Sequence, residues 1–556
     1  MLYANSLFKT NRGRGKMKKV TILSVFAFMT LLSTASIGFA LYSSATPWPM
    51  YRYDVAHSGS TPSDVPNNNN TLWVYSAGAS GVGPRSIDAT PLIVDGRVIF
   101  EVTNRVFAVV ETTGVQLWGY QATGWLTAPT YADGKVFLGI MTNAGGLVCL
   151  NASTGQEIWK QDLSPSFVMG SPLVSDGMVY VGLTGNKTVA FDVSGGYKWE
   201  YKTDGPVYSS PAADGDLLFF GSDDTKLYAL NVSGSTPVSL WNFTANGAIR
   251  SSSAVAGGMV FFGSDNHTLY ALNEATGELV WSWATTNAAK FRNSVSVANN
   301  CVFLTSTDAG KIYALRGDVA RGNYTETDLA IRNWTKEVPG VGGWLEPVYA
   351  GGKIVVTSTA SSFYVLNANT GTTLWDRESN WYPGYGPAIV ADGRLWFSMF
   401  WSDPSYTLNL FCIGSPFPPT TSLYRVNAGG SSFDVALETN STVTNFNTTA
   451  LETQRKIGFN VQGIGANDMC NITLPDAMLS GPFNVTVDGE QPVYMAEPAS
   501  NGTHTSLYFT YNGTIPQTIE ITGTNVIPEF PTIAILPILI TTLFVTIVQL
   551  KRKRNK

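Results

Sequence analysis

From about residue 73 to about residue 412 the chain repeats one pattern of apolar and polar positions eight times. Each copy reads as a strand led by small residues or Pro, a tight turn, an apolar strand, a third strand of the Tyr-Ala-Leu-Asn kind, a Thr-Gly turn, and a strand carrying Trp. Ser171–Gly182 shows the unit well: hydrophobic residues alternate on both sides of the Asp176-Gly177 turn, the pattern of a β-hairpin. The first turn recurs at Asp95, Asp133, Asp176, Gly215, Gly257, Asn299, Gly351 and Asp392, in steps of 38 to 52 residues. The Trp recurs at Trp73, Trp118, Trp159, Trp199, Trp241, Trp281, Trp334 and Trp375. Four short β-runs in a period near forty predict an all-β chain whose main domain is a β-propeller.

The count predicts how the ring closes. Trp73 precedes the first turn unit, and the last unit has a third strand at Leu408–Ile413 with no Trp strand after it. Pairing the Trp73 strand with the last unit completes an eight-bladed ring, whereas an open ring, or a seven-bladed one with a spare unit, leaves an unpaired edge. The repeated Trp is expected to cover the joins between blades rather than to bind sugar. The long step between Trp281 and Trp334 predicts a surface loop inserted around Arg316–Arg332.

Beyond this array the pattern changes. Residues 416–421 hold Pro416, Pro418 and Pro419 and read as a linker. From 422 to 525, alternating runs at Ser432–Leu437, Ile457–Val461, Cys470–Leu474, Phe483–Val487, Ser506–Tyr511 and Thr518–Ile521 predict a small β-sandwich, read as a stalk. The whole division is then: signal peptide 1–40, lead-in 41–72, eight-bladed propeller 73–415, linker 416–421, sandwich 422–525, Pro-rich hinge or sorting motif 526–532, transmembrane helix 533–550 and basic cytoplasmic tail 551–556.

The ends set the compartment. Basic residues up to Lys19 precede an uncharged apolar run from Val20 to Ala40, the form of a secretion signal, with a retained anchor as the competing reading. The run from Ile533 to Leu550 is long enough to cross a bilayer, and the basic cluster after it keeps that end in the cytoplasm. The residues between are expected at the cell surface. Fourteen Asn-X-Ser/Thr glycan acceptors fit that location: Asn69, Asn151, Asn186, Asn231, Asn242, Asn266, Asn323, Asn333, Asn440, Asn447, Asn471, Asn484, Asn501 and Asn512.

Only 13% of residues are charged, against about a quarter in ordinary soluble proteins, and the net charge is -5. With no basic patch in the body of the chain, nucleic acid is not an expected partner. Cys149, Cys301, Cys412 and Cys470 are far apart in sequence and are expected as free thiols. No G-x-S-x-G, P-loop, H-E-x-x-H or calcium-loop motif occurs, and His57, His267 and His504 are the only histidines. No catalytic residue and no metal ligand is assigned.

The repeat itself supplies a candidate ligand surface. The residues three before the small or Pro position of each first strand are Asp88, Leu126, Met169, Tyr208, Arg250, Arg292, Trp344 and Tyr385. If first strands line the axis, these residues ring one mouth of a central funnel. The ligand-binding candidates are Asp88, Tyr208, Arg250, Arg292, Trp344 and Tyr385. Adjacent guanidiniums at Arg250 and Arg292 would suit a carboxylate, a phosphate or an acidic sugar, and local ion pairing is the alternative.

The Thr-Gly-x-x-x-Trp motifs at Thr113, Thr154, Thr276 and Thr370 resemble the pyrroloquinoline-quinone-like propeller repeat family. So do Leu227–Asn231 and Leu269–Asn273, and Trp48–Arg52 followed by His57-Ser58-Gly59 resembles the segment that leads into such propellers. The resemblance covers roughly residues 48–415. It implies either a quinone-dependent dehydrogenase or a non-catalytic scaffold like the bacterial outer-membrane assembly lipoprotein. The dehydrogenases carry adjacent cysteines and a calcium set of Glu, Asn and Asp, and neither pattern can be matched in this sequence. The expectation is therefore a surface scaffold that is not an enzyme, has no cofactor, and binds envelope proteins or polysaccharide. A quinone- and calcium-dependent surface dehydrogenase and an envelope-assembly factor working by strand addition are the alternatives. Val526–Thr532, with the apolar run and basic cluster after it, resembles the Pro-Glu-Phe sorting signal of archaeal surface proteins, which implies replacement of the helix by a lipid anchor.

Overall fold

The computed structural model describes residues 47–526 apart from 68–69, 80–89, 143–144, 286–289, 307–309, 339–345, 359–361, 379–381, 384–386, 401–406, 416–419, 429–430, 440, 449, 463–467, 497, 502 and 513–515. The signal segment, the sorting motif and the C-terminal apolar run lie outside these residues. Among the described residues no helix is long and apolar enough to cross a membrane.

The fold is a β-propeller. Eight sheets follow one another between residues 60 and 414, each built around four strands. The first sheet contains Leu92–Val94, Arg97–Val102, Arg105–Val110 and Gln116–Gln121 in that order, and later sheets repeat this antiparallel meander. The second strand of each is a continuous apolar run because both faces are covered. In Lys135–Ile140, Val136, Leu138 and Ile140 pack toward the first sheet while Phe137 packs toward the third. Period-two alternation thus places one strand in two cores at once. Every pair of successive sheets shares such a core, and one cluster joins the seventh, the eighth and the first, with Val355, Trp396 and Phe100 among its members. The strand Thr71–Ala79 pairs antiparallel with Thr407–Gly414, Trp73 opposite Cys412, so the strand carrying the first Trp lies in the last sheet.

Tryptophans fasten most of the joins. Their indole N–H groups donate to a main-chain carbonyl of the next sheet: Trp73 to Glu111 at 2.9 Å, Trp118 to Ala152 at 3.0 Å, Trp334 to Ala368 at 2.8 Å. The Thr-Gly turn lies on the ring, and a Cβ on Gly114 would come 2.6 Å from Trp73. Trp375 of the seventh sheet docks on the carbonyl of Pro66, just upstream of the strand that completes the eighth.

One expectation needs correction. The insertion predicted as a loop over 316–332 contains a strand, Gly322–Thr325, which adds in parallel to the outer edge of the fifth sheet, Trp281 opposite Gly322. The sequence signal is weak because the strand has only four residues and is held by a long-range edge.

After residue 420 a six-stranded and a four-stranded antiparallel sheet share a single core that includes Val435, Phe459, Ile472, Phe509 and Ile519, and Leu479–Ser480 pairs with Asn525–Val526 as a small third sheet. Buried and partly exposed residues alternate strictly along His504–Tyr511, as one-sided burial requires. The first strand starts at Thr420, inside the segment read as a linker, and Thr442–Asn447 adds a strand not expected from the sequence.

Candidate functional site at the channel

The first strands of neighbouring sheets lie side by side, and two groups of charged residues stand beside them. The lead-in segment, which carries the first group, runs around the ring. Trp48 bridges Ile93 of the first sheet, and the Pro49 carbonyl accepts from Tyr131 N–H of the second. Met50 packs between the third and fourth sheets. The carbonyls of Val55, Ala56, Ser58 and Gly59 then accept from Ala213, Val255, Val297 and Tyr349, on the fourth to seventh sheets. Ser60–Thr61 pairs with Tyr349–Ala350, and Ser63 Oγ accepts from Gly393 N–H of the eighth. Some fifteen residues thus touch every sheet in turn.

This segment places charge beside the first strands. Arg52 is wholly buried. It donates through Nη1 to the Pro347 carbonyl at 2.8 Å and through Nη2 to the Val295 carbonyl at 2.5 Å, and lies 3.6 Å from Glu346. Glu346 also accepts from Tyr51 Oη and from Ser294 N–H, the latter at 3.0 Å. Burial, then the Glu346 charge, pushes the Tyr51 hydroxyl well above its ordinary range. His57 is buried beside Tyr51, their ring centroids 5.4 Å apart. Burial first, and the Arg52 charge second, pull its pKa down to about 3 against the pull of the Ser253 carbonyl, so the imidazole is neutral. Arg52, Tyr53 and His57 all have positive φ, strain that the surrounding strands must hold. Gly59 is at φ +62, and a Cβ there would lie 2.0 Å from Arg52 Nη2.

The second group is the candidate ligand surface. Arg250 and Arg292 each stand four residues before a first strand, beginning at Ala254 and Ser296. Each forms a two-pronged pair with an aspartate from the second-to-third-strand turn of the preceding sheet. Arg250 meets Asp223 at 2.8 and 2.7 Å, and Arg292 meets Asp265 at 2.8 and 2.6 Å. The Arg250 guanidinium also stacks over Tyr208, 5.1 Å from the ring centroid. Lys290 approaches Asp265 at 3.9 Å. Burial raises the Asp265 carboxyl, but the Arg292 hydrogen bond and charge, with Lys290 and Arg250, hold it below the usual range. These pairs answer the question left by the sequence: both guanidiniums are engaged by aspartates, so the mouth presents neutralised pairs with mixed donors and acceptors, not bare cations. Two sequence signals could have located the partners. Gly-Ser-Asp recurs at 221–223 and 263–265, and in both cases the arginine follows its aspartate by 27 residues.

The remaining ring positions divide. Met169 is exposed, in line with the ring. Leu126 is buried and bridges Ile140, while its neighbour Trp125 is exposed. Asp88, Trp344 and Tyr385 lie outside the described residues. Several glycan acceptors are engaged: Asn266 donates to Tyr270 at 2.7 Å, Asn333 to Cys301 Sγ at 2.9 Å and Asn471 to Glu438 at 3.2 Å, whereas Asn242 and Asn484 are exposed. Asn69 and Asn440 lie outside the described residues.

Comparison with known proteins accords with the repeat. Residues 103–238 and 203–324 match the family model described as outer membrane protein assembly factor BamB, less than half of the chain. A BamB of Nitrosomonas eutropha is 30% identical over 105 residues, 19% of this chain and 25% of that protein. A quinohemoprotein alcohol dehydrogenase of Comamonas testosteroni is 27% identical over 184 residues, 28% of this chain and 25% of that protein. The chain thus spans about a quarter of the length of these curated relatives. A europium-containing methanol dehydrogenase superposes with a TM-score of 0.54 at 14% identity, over 66% of this chain and 98% of that one, which shows the fold alone.

The quinone and calcium implied by the second group can be tested against these residues. Among the described residues no three His, Cys, Asp or Glu side chains come together as a metal site. The cysteines stand singly as free thiols, and Tyr51 and Arg52 are both engaged by Glu346. Among the described residues no set is assembled for that pair, and no chemistry is routed through it. By its repeats, its sheets and these matches, the chain is similar to the PQQ-like β-propeller repeat proteins.

Proposed function

We propose that the chain is an extracytoplasmic binding scaffold without catalytic activity, and that its ligand surface is the channel mouth bearing Tyr208, Arg250 and Arg292. The observation that carries the reading is the pairing of Arg250 with Asp223 and Arg292 with Asp265, which gives the mouth fixed donors and acceptors. In this reading the eight sheets are the blades of one closed ring, the two larger sheets after residue 420 are a β-sandwich stalk, and the segments 1–40 and 533–550 deliver and anchor the chain at the cell surface. Partners are envelope proteins or cell-surface polysaccharide. An envelope-assembly role belongs to the same class and draws on the BamB match.

The test is binding of the purified protein to an envelope-protein fraction and to cell-surface polysaccharide. A variant with Arg250→Ala and Arg292→Ala is expected to lose at least tenfold in affinity for one of them, and unchanged affinity for both would remove the mouth from the reading. The dehydrogenase alternative draws on the quinohemoprotein match. Calorimetric titration with pyrroloquinoline quinone plus calcium decides it: saturable binding with a perturbed quinone spectrum would replace the scaffold by an oxidoreductase.

A further inference from the structure

The surface that carries Arg250 and Arg292 continues onto sheets where the chain places no charge. Just past each second strand, a backbone N–H donates to a carbonyl of the segment entering the same sheet. On the second to fifth sheets these are Met141 to Trp125 at 2.7 Å, Thr184 to Phe167 at 3.1 Å, Asp223 to Pro206 at 2.9 Å and Asp265 to Ala248 at 2.9 Å. The bonds set Trp125 level with the residues beside the two aspartates. They also show that Met141 and Thr184 hold the places that Asp223 and Asp265 hold further round. The second sheet has no counterpart of Arg250. Leu126 N–H bonds back to the Thr103 carbonyl of the first sheet, as Val207 N–H does to Leu183 of the third and Ile249 N–H to Ser222 of the fourth. Leu126 therefore matches the buried Val207 and Ile249, and Trp125 takes the outward place, 42% exposed. Met169, the counterpart of Tyr208 on the third sheet, is 40% exposed. The surface thus has an apolar half, with Trp125 and Met169 on the second and third sheets, and a half of guanidinium–carboxylate pairs. Tyr208 stands between them, under the Arg250 guanidinium.

We infer that the ligand of this surface is an uncharged polysaccharide, its sugar rings resting on Trp125 and its hydroxyls bridging the Arg250–Asp223 and Arg292–Asp265 pairs. This rests on the reading of the surface as the ligand site and names the class of ligand. A hydroxyl is donor and acceptor at once, and each pair sets N–H donors beside carboxylate acceptors in a fixed geometry. Two hydroxyls on neighbouring sugar carbons match such an edge without any charge of their own. An anion is matched less well. It must approach guanidiniums whose Nε and Nη2 are already given to aspartates, and it meets the charge of those aspartates, one of which Lys290 also shares. A sugar ring also has a face of C–H groups, for which an exposed indole is a flat apolar support.

The experiment is titration of the full chain with cell-surface polysaccharide divided on an anion exchanger into an uncharged and an acidic fraction, and with an envelope-protein fraction, at about 50 and about 500 mM salt. The uncharged fraction is expected to bind, with affinity changing less than about twofold between the two salts, because no ligand charge is screened. Trp125→Ala, at an exposed position, should weaken that binding at least tenfold with the unfolding midpoint unaltered. Asp223→Asn with Asp265→Asn removes the acceptors and bares both guanidiniums. It should weaken binding of the uncharged fraction at least tenfold and bring salt-sensitive binding of the acidic one. An uncharged fraction that does not bind, or whose affinity Trp125→Ala leaves unchanged, would overturn the inference. If the acidic fraction or an envelope protein binds instead, and Arg250→Ala with Arg292→Ala abolishes it, the surface stands as the ligand site and only the class of ligand falls. Binding that neither the arginine variants nor Trp125→Ala alter would remove both.

Discussion

The two arginine sites beside the first strands use the same chemistry to opposite purposes. Arg52 with Glu346 and Arg250 with Asp223 are both arginine–carboxylate pairs, yet the first is 0% and 8% exposed and the second 33% and 18%. A charge taken wholly out of water must be met by partners, so Arg52 holds two carbonyls and a carboxylate and thereby ties the lead-in segment to the sixth and seventh sheets. At the mouth water still screens the pairs, and each contributes little to stability while remaining available to a ligand. Burial, not residue type, separates the fastener from the proposed recognition surface.

The largest expected effect tests that contrast directly. Arg52→Ala strands the buried Glu346 and is expected to cost about 3–5 kcal/mol, read as a fall in the thermal unfolding midpoint. If Arg250→Ala lowers the midpoint as much, the contrast fails. Trp73→Ala should cost about 3 kcal/mol or more, because it empties a buried site and frees the Glu111 carbonyl at the one join made by strands from both ends of the ring. A loss matching that of Trp118→Ala would show the closing join to be an ordinary one. A loss well below it would show that the ring does not depend on that strand.

The next effect depends on pH. His57 has a pKa near 3 in the folded chain against 6.5 when unfolded, so the unfolded state binds the extra proton between those values. Its contribution is fully present above pH 6.5 and is lost as pH falls toward 3, with a slope approaching about 1.4 kcal/mol per pH unit. Denaturant unfolding at pH 7 and 5 is expected to show a smaller loss for His57→Gln than for the native chain, and equal losses would exclude this histidine as the cause. Smallest are Arg250→Ala and Arg292→Ala, expected at under about 1 kcal/mol each in stability. Their effect should appear in binding, and a large stability loss would turn the mouth into a second fastener.

How legible these regions were in the sequence follows from the range of the contacts involved. The tryptophans and Thr-Gly turns were legible because the same pair recurs one repeat apart at several joins, as in Trp118 with Ala152 and Trp334 with Ala368. Arg250 and Arg292 could be placed at the mouth by their offset from the repeat, but their aspartates were overlooked because they sit in the preceding unit. Leu126 follows the same offset and turns inward, a local shift that its residue type permits and the spacing does not reveal. Glu346 and Arg52 are 294 positions apart, and no periodicity links a lead-in segment to the sixth and seventh sheets.

Repetition therefore let the sequence determine the propeller fold, the joins and the height of each residue along a strand, since these depend on near neighbours in a regular array. The tertiary structure decided which arginine is buried, which carboxylate meets it, and which edge the inserted strand covers. Those outcomes depend on water exclusion and on contacts between distant segments, and a one-dimensional pattern carries neither.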